Sequence, residues 1–209
     1  MVLAHLAGIK VFATGGLGGV HKGGENSMDV SADLTELGRT PVALISSGCK
    51  SFLDIPRTLE FLETQGVFVG TFADGRRDHV NFPSFWTRDS GVRSPAVVED
   101  EQEAAAIIYA QLNFPLTSGM LFANPIAEEY SLSKEYMDKV MSQAVQDAVD
   151  QGFTGNRNTP FVLSRIKELS ENKTVTANRK LVGANVVRGT RVATELAKLE
   201  LADRGILSR

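Results

Sequence analysis

Residues 9–24 read IKVFATGGLGGVHKGG, and this stretch predicts a buried strand that runs into a loop rich in glycine. The run Ile9–Ala13 is apolar and contains β-branched residues, as expected of a strand covered on both faces. Six glycines follow between Gly15 and Gly24, which favours a chain that turns sharply or approaches another group closely. We call residues 14–24 the glycine-rich loop. It is predicted to precede a helix, a context that suits anion binding by backbone N–H groups, and the alternative is a purely structural turn.

Strands and helices are predicted to alternate along the rest of the chain, which is typical of α/β layering within one domain, here residues 1–209. The further predicted strands are Val42–Ser46, Val67–Thr71 and Gly119–Ala123. The predicted helices are Val30–Leu37, Pro56–Thr64, Asp100–Leu112, Ser133–Asp150, Thr159–Glu171 and Ala177–Ala202. Residues 72–95 are predicted to form a long irregular loop that returns to the core through Phe82, Phe85 and Trp86.

The composition excludes several classes of protein. The net charge is -3 and no basic stripe stands out, which argues against a large nucleic-acid surface. A single cysteine excludes an internal disulfide framework and favours an intracellular, cytoplasmic setting. No apolar run reaches the length of a membrane-spanning helix, so no membrane contact is expected.

The glycine-rich loop does not match the two common nucleotide-binding motifs. The dinucleotide fingerprint requires a glycine at its sixth position, but when Gly16 is counted as the first position the sixth is His21. The phosphate-binding P-loop also fails, because no Gly-Lys-Ser/Thr sequence is present.

Two carboxylates, Asp29 and Asp33, follow the loop four residues apart. If this segment is helical, they share one face and could hold Mg²⁺ or Mn²⁺ through oxygen ligands. The alternative is that Asp29 and Ser31 only cap a short helix, and the pattern alone favours the cap.

A lysine, Lys50, follows the predicted strand Val42–Ser46. Ligands bind at such strand ends in α/β sheets, and a desolvated lysine there is a candidate nucleophile for carbonyl carbons. The alternative is an ordinary surface lysine, and Cys49 is a rival nucleophile.

The three histidines have no zinc-ligand spacing. Asn124 and Asn185 are polar residues in apolar surroundings, either buried amides or substrate contacts.

Five segments, taken in order, resemble the pseudouridine-5'-phosphate glycosidases, and the resemblance extends from about residue 2 to residue 202. The segments are VFATGGLGGVHKGGENSMDVSADLTEL, SSGCKSFLDIPRTLEFLETQGV, FANPI, TPFVLSRIKELS and LVGANVVRGTRVATELA. The resemblance implies a layered α/β/α fold with a central mixed sheet. It implies reversible cleavage of the carbon–carbon bond between uracil and ribose 5-phosphate, assisted by Mn²⁺, in a homotrimer.

The resemblance also implies a role for individual residues. Lys50 would be the nucleophile that forms a Schiff base with the sugar, and Asp29 would be the metal ligand. Substrate contacts would come from the remaining matched positions, Thr14, His21, Ser31, Ala32, Asp33 and Asn185.

Members of this family begin well before the position of Met1. The glutamate expected as general acid and a lysine that contacts the substrate phosphate lie in that upstream segment, and Lys10, Lys22 and Arg39 do not occupy matching positions. The chain is therefore expected to be an N-terminally truncated member. The alternatives are an inactive fragment that retains phosphate and metal contacts, or a nucleotide-binding α/β domain of another class.

Overall fold

The computed structural model describes residues 1–153 and 157–205, and its centre is a five-stranded sheet in the order β1-β2-β5-β3-β4. The strands are β1 (Val11–Ala13), β2 (Ala43–Ser46), β3 (Phe68–Phe72), β4 (Ala96–Val98) and β5 (Met120–Ala123). All four strand pairs are parallel. The layered α/β prediction is confirmed, but the mixed sheet expected from the resemblance is not observed in the described residues. Each connection between described strands is long enough to return the chain to the same edge, as parallel pairing requires.

Eight α-helices and one 3₁₀ turn are present in the part of the chain that the structure describes. The short helices are α1 (Val2–Leu6), α2 (Gly24–Ser27) and α3 (Ala32–Leu37). The longer ones are α4 (Ile55–Thr64), α5 (Glu101–Leu112), α6 (Lys134–Asp150), α7 (Asn158–Leu169) and α8 (Lys173–Asp203), and the 3₁₀ turn is Glu128–Tyr130.

The sheet is covered on both faces. Helices α5 and α8 pack on one face, against side chains such as Ile45, Phe122 and Val98. Helices α3 and α4 cover the other face, against Leu44 and Leu121. All four residues of β2 and of β5 are buried, because these strands lie inside the sheet and between two helical layers.

A third apolar cluster lies beside the sheet, between α6, α7 and the start of α8. The loop between β3 and β4 enters it through Phe85 and Trp86, whose ring centroids are 4.8 Å apart. The Trp86 indole N–H donates to the Thr174 carbonyl over 3.0 Å, so its polar atom is paired within the core. Phe82 is also fully buried, and the predicted return of this loop to the core is confirmed.

Three of the predicted helix starts lie at or next to capping residues observed in the structure. Ser31, Asp100 and Ser133 each accept a hydrogen bond from a backbone N–H in the first turn of α3, α5 and α6. Strand β4 was not predicted, because it lies in the short stretch between the predicted loop 72–95 and the predicted helix that begins at Asp100. Three residues are too few to show a periodic pattern, and pairing with β3 defines the strand.

No helix among the described residues is both long and apolar enough to cross a membrane.

Candidate active site

The glycine-rich loop lies along the segment that follows β2. The Leu17 N–H donates to the Gly48 carbonyl (2.9 Å), and the Lys50 N–H donates to the Leu17 carbonyl (3.2 Å). Two loops that follow neighbouring parallel strands are thereby joined at the carboxyl edge of the sheet. This is the edge at which α/β proteins bind ligands.

Glycine is required in the loop for packing. A Cβ atom at Gly18 would lie 2.1 Å from Ser31 Oγ and 2.9 Å from Asp33 Oδ2. At Gly16 a Cβ atom would lie 2.5 Å from the Phe85 ring, and at Gly19 it would lie 2.5 Å from Thr58 Oγ1. These glycines are therefore needed for close packing, which places the loop backbone against the candidate site residues.

Ser31 and Asp33 hold the loop at the start of α3. Asp33 Oδ2 accepts a hydrogen bond from the Gly18 N–H (2.9 Å), and the Ser31 N–H donates to the Gly19 carbonyl (3.1 Å). Ser31 Oγ also accepts from the Asp33 N–H as the helix cap, and Ala32 is the first residue of the helix. The predicted Ser31–Asp33 triplet therefore borders the loop directly.

Thr58, which the sequence analysis missed, fixes the other side of the loop. Its hydroxyl accepts from the Val20 N–H (2.9 Å) and donates to the Asp54 carbonyl (2.6 Å). The residue is fully buried on α4, so the loop is attached to the second helix of this layer. The feature of the sequence that could have indicated this role is a threonine within the apolar face of a predicted helix.

His21 and Asp29 face each other across the far end of the loop. The His21 N–H donates to the Asp29 carbonyl (3.0 Å), and His21 Nδ1 lies 3.9 Å from Asp29 Oδ2. Asp29 precedes α3 in a segment that pairs with the loop through Val20 and Val30. The suggestion that Asp29 and Asp33 share a helix face is therefore wrong, because the helix begins only at Ala32.

Lys50 is half-buried, and its ammonium group makes no ion pair or side-chain hydrogen bond within the described residues. The neighbouring Cys49 is fully buried, and burial raises the pKa of its thiol to about 12. A thiol with so high a pKa is almost entirely protonated at neutral pH and is a poor nucleophile. Of the two rival nucleophiles, Lys50 is the accessible one.

Asn185 joins three of the strand ends from its position on α8. It is fully buried, and its amide N–H group donates to the Thr14 carbonyl (2.8 Å) and the Gly15 carbonyl (3.1 Å). Its carbonyl oxygen accepts from Asn124 Nδ2 (2.9 Å), and its amide also pairs with the Ser47 hydroxyl. Both predicted residues, Thr14 and Asn185, therefore meet at this edge, and Asn185 is a buried amide with its hydrogen bonds made.

Arg188, one helical turn further along α8, was not predicted. Its guanidinium donates to Asn124 Oδ1 (3.2 Å), to Glu101 Oε1 (2.8 Å) and to Asp74 Oδ1 (3.2 Å). It also lies over the Phe72 ring, 4.7 Å from the centroid. Its spacing of three residues from Asn185 on one helix face was the signal in the sequence.

All eight predicted site residues therefore lie in or beside the glycine-rich loop. Thr14 and His21 belong to it, and five residues hydrogen-bond to it, namely Asp29, Ser31, Asp33, Lys50 and Asn185. Ala32 lies between Ser31 and Asp33. A half-buried primary amine, a hydrogen-bonded carboxylate, an imidazole and several backbone groups surround one short loop. Such a set can bind a small polar ligand and offers an amine for addition to a carbonyl carbon.

A divalent cation fits this arrangement only as a largely hydrated ion. The described residues contain no cluster of three or more His, Cys, Asp or Glu side chains that could hold a metal. The Asp29 carboxylate is 41% exposed and could supply one oxygen ligand. Mg²⁺ and ions like it commonly keep several waters and take one or two carboxylates from the protein.

Comparison with known proteins identifies relatives over nearly the whole chain. The profile of the family described as indigoidine synthase A like protein matches residues 1–195. A curated pseudouridine-5'-phosphate glycosidase from Caldanaerobacter subterraneus subsp. tengcongensis is 48% identical over 95% of this chain and 63% of its own length. The protein of the same name from Arabidopsis thaliana is 42% identical over 95% of this chain and 59% of its own length. The resemblance to the pseudouridine-5'-phosphate glycosidases is confirmed, and the chain spans about three fifths of the length of these relatives.

Solved structures agree with the sequence relatives. The prealnumycin C-glycosynthase AlnA, solved in complex with ribulose 5-phosphate, superposes with a TM-score of 0.85 and 30% identity, over 96% of this chain and 65% of AlnA. An indigoidine synthase A-like protein from Thermotoga maritima superposes with a TM-score of 0.80 and 32% identity, over 93% of this chain and 62% of that protein. The fold predicted from the resemblance is confirmed at the level of the family, and the chain belongs to the indigoidine synthase A like protein family.

Proposed function

We propose that this chain carries the nucleophile-bearing part of a pseudouridine-5'-phosphate glycosidase, which cleaves its substrate reversibly to uracil and ribose 5-phosphate. The observation that carries the proposal is the position of Lys50. Its backbone is bound to the same glycine-rich loop that Asp33 and Ser31 hold. The names of the curated relatives support the substrate, and the ribulose 5-phosphate complex of AlnA supports a phosphosugar ligand.

Lys50 would act through a Schiff base. Its amine forms a bond to C1' as the bond from C1' to the ring oxygen breaks, and the ring oxygen takes the proton that the amine loses, which opens the ribose. When the carbon–carbon glycosidic bond then breaks, its electron pair leaves with the uracil carbon, and the nitrogen lone pair of Lys50 stabilises C1' as an iminium, the Schiff base. The uracil carbon takes a proton. Water then hydrolyses the Schiff base, which releases ribose 5-phosphate and restores the amine of Lys50.

The other residues at the loop would bind and orient the substrate. Thr14 and Asn185 meet where the loop leaves β1 and passes α8, and His21 lies at the far end of the loop. The start of α3 carries the other three residues, Ser31, Ala32 and Asp33. We assign the Asp29 carboxylate to a hydrated Mn²⁺, which would supply positive charge and ordered waters near an anionic ligand. We also propose a homotrimer as the assembly and the cytoplasm as the location.

A second candidate function is binding of the phosphosugar and the cation without completed cleavage. It is favoured by the state of the two carboxylates at the loop. Asp33 accepts a hydrogen bond from the Gly18 N–H, and Asp29 Oδ2 lies 3.9 Å from His21 Nδ1, so both carboxylates already have partners at the loop. Loss of a general acid lowers rates by about 10²–10⁴-fold.

The test is release of uracil from pseudouridine 5'-phosphate by the purified chain with Mn²⁺. Uridine 5'-phosphate, which has a nitrogen–carbon bond at the same position, is the matched control substrate. We expect uracil from pseudouridine 5'-phosphate only. Release from uridine 5'-phosphate at a similar rate would contradict the assignment. If uracil is not released but ribose 5-phosphate still forms an adduct with Lys50, the second candidate is correct.

A further inference from the structure

A chain of hydrogen bonds connects Arg188 to the glycine-rich loop through two buried amides. Arg188 Nε donates to Asn124 Oδ1 (3.2 Å), and Asn124 Nδ2 donates to Asn185 Oδ1 (2.9 Å). Asn185 Nδ2 in turn donates to the carbonyls of Thr14 (2.8 Å) and Gly15 (3.1 Å). The chain thus extends from an ion-pair cluster to the first residues of the loop.

The two ends of this chain fix the direction of both amides. A guanidinium has only donors, so Asn124 must present its oxygen to Arg188 and its N–H group to Asn185. A backbone carbonyl is only an acceptor, so Asn185 must present its N–H group to Thr14 and Gly15. Because Asn124 is 4% exposed and Asn185 is 0% exposed, water is not at hand to replace a missing partner.

Arg188 itself is held in place by several groups. It pairs with Glu101 at the start of α5 (2.8 Å) and with Asp74 after β3 (3.2 Å), and its guanidinium lies over the Phe72 ring. Arg88 binds the other oxygen of Asp74 (2.6 Å). Bonding on several sides leaves the guanidinium little freedom to turn its Nε away from Asn124.

We propose that Arg188 is a positioning residue that fixes the glycine-rich loop through the Asn124–Asn185 amide pair. Without its guanidinium, Asn124 loses the partner that sets its direction and can rotate. Asn185 then keeps only the Ser47 hydroxyl (3.2 Å) as a donor at its oxygen, and the N–H group that it offers to the carbonyls of Thr14 and Gly15 is less firmly oriented. The loop carries the partners of Lys50 and Asp33, so its disorder would reach the proposed nucleophile, and this last step rests on the proposed function.

The test compares Arg188→Met with Arg191→Met by amide hydrogen exchange. Methionine keeps an apolar stem over Phe72 and removes the donors. Arg191 is the matched control, because it lies on the same helix and near the same Glu101 (3.6 Å) but is 67% exposed. We expect exchange at the N–H groups of Leu17, Gly18 and Lys50 to become about tenfold faster in Arg188→Met and to stay unchanged in Arg191→Met.

A second variant separates the amide pair from the ion pairs. Asn124→Asp keeps an oxygen for Arg188 but has no N–H group for Asn185, so it should reproduce the faster exchange while the ion pairs of Arg188 persist. The effects of Arg188→Met and Asn124→Asp should not add in the double variant, because both break one chain of contacts. Wild-type exchange in Asn124→Asp would overturn the proposal.

Amides of α6 report on general stability, since this helix lies in a separate apolar cluster. If Arg188→Met speeds exchange in α6 and in the loop by the same factor, Arg188 only stabilises the fold and the proposal is wrong. The catalytic consequence is measured separately, as about a tenfold slower formation of the borohydride-trapped adduct with ribose 5-phosphate. If the wild-type chain forms no adduct, the proposed function fails, while the exchange comparison still decides the role of Arg188.

Discussion

The amino ends and the carboxyl ends of the parallel strands form two different edges of the molecule. The amino ends of β3, β4 and β5 border a cavity of about 860 Å³, whose lining is mainly apolar and includes Leu59, Val67 and Leu116. None of the predicted site residues lines that cavity. The carboxyl ends of β1, β2 and β5 instead carry Thr14, Lys50 and Asn124.

The contrast separates cavity size from chemistry. A well-formed apolar pocket is the usual first hypothesis for a binding site. In a parallel sheet, however, the loops after the strands converge at one edge, and only there do polar groups from several strands meet. The position of reactive groups, rather than the volume of empty space, identifies the candidate active site of this chain.

The largest expected effect distinguishes two lysines at opposite edges. Lys50 follows β2 at the carboxyl edge, and Lys10 precedes β1 at the amino edge, where it pairs with Glu200. Lys50→Met should lower the rate of uracil release by about 10⁴-fold or more, because the proposed nucleophile is lost. Lys10→Met should change the rate of uracil release by less than about twofold, because an exposed ion pair at the opposite edge contributes little to the stability of the chain. Equal effects of the two substitutions would remove the distinction between the edges.

The next effect separates Lys50 from its neighbour. Burial raises the pKa of the Cys49 thiol to about 12, so iodoacetamide at pH 8 should modify the folded chain about 10³-fold more slowly than the unfolded chain. Rapid modification of the folded chain would show that Cys49 is accessible and restore it as a rival nucleophile.

The same thiol predicts a dependence of stability on pH. Its folded pKa lies above its unfolded value, so its contribution is fully present below about pH 8.5 and is lost as the pH rises towards 12. The free energy of unfolding should therefore fall between about pH 9 and pH 11, and less steeply in Cys49→Ala. Denaturant titrations of both proteins across this range measure the difference, and parallel curves would contradict it.

A smaller effect concerns the backbone at the carboxyl edge. Gly48 has a φ of +76°, and a Cβ atom there would lie 1.9 Å from the Pro83 carbonyl oxygen, whereas Gly23 has a φ of +79° and open space around it. Gly48→Ala should lower the free energy of unfolding by about 3 kcal/mol or more, and Gly23→Ala by only about 1 kcal/mol. Similar losses in denaturant titrations would mean that the close approach at Gly48 is not a constraint.

The smallest expected effect is at the amino edge. Leu116 is half-exposed beside the 860 Å³ cavity, so the new carboxylate in Leu116→Asp should be well hydrated. The rate of uracil release should therefore change by less than about twofold. A loss comparable with that of Lys50→Met would place the amino edge in the reaction.

Most of the fold could be predicted from local patterns. Strand Met120–Ala123 is apolar throughout, strand Ala43–Ser46 is apolar up to its last residue, and Ser31 and Ser133 mark helix starts, so each element carries its own signal. Strand β4 and the uniformly parallel sheet depend on pairing between distant segments. Neither leaves a pattern in a short window of sequence.

The residues of the candidate site differ in the same respect, since some could be predicted from local sequence and others could not. The residues around the glycine-rich loop are close in sequence or carry the family's motifs, so their grouping could be predicted. The role of Arg188 could not, because its partner Asn124 lies 64 residues away and its two ion-pair partners, Glu101 and Asp74, lie in two further segments of the chain. The correction for Asp29 has a local cause, since the cap at Ser31 sets the first helical residue after it.

The most direct test of the central claim is identification of the residue that bonds to the sugar. The chain is incubated with ribose 5-phosphate and Mn²⁺, reduced with borohydride, digested and mapped by peptide mass. We expect one ribose-phosphate adduct, on Lys50. An adduct on another lysine, or none under conditions where the chain releases uracil, would contradict the assignment of Lys50 as the nucleophile.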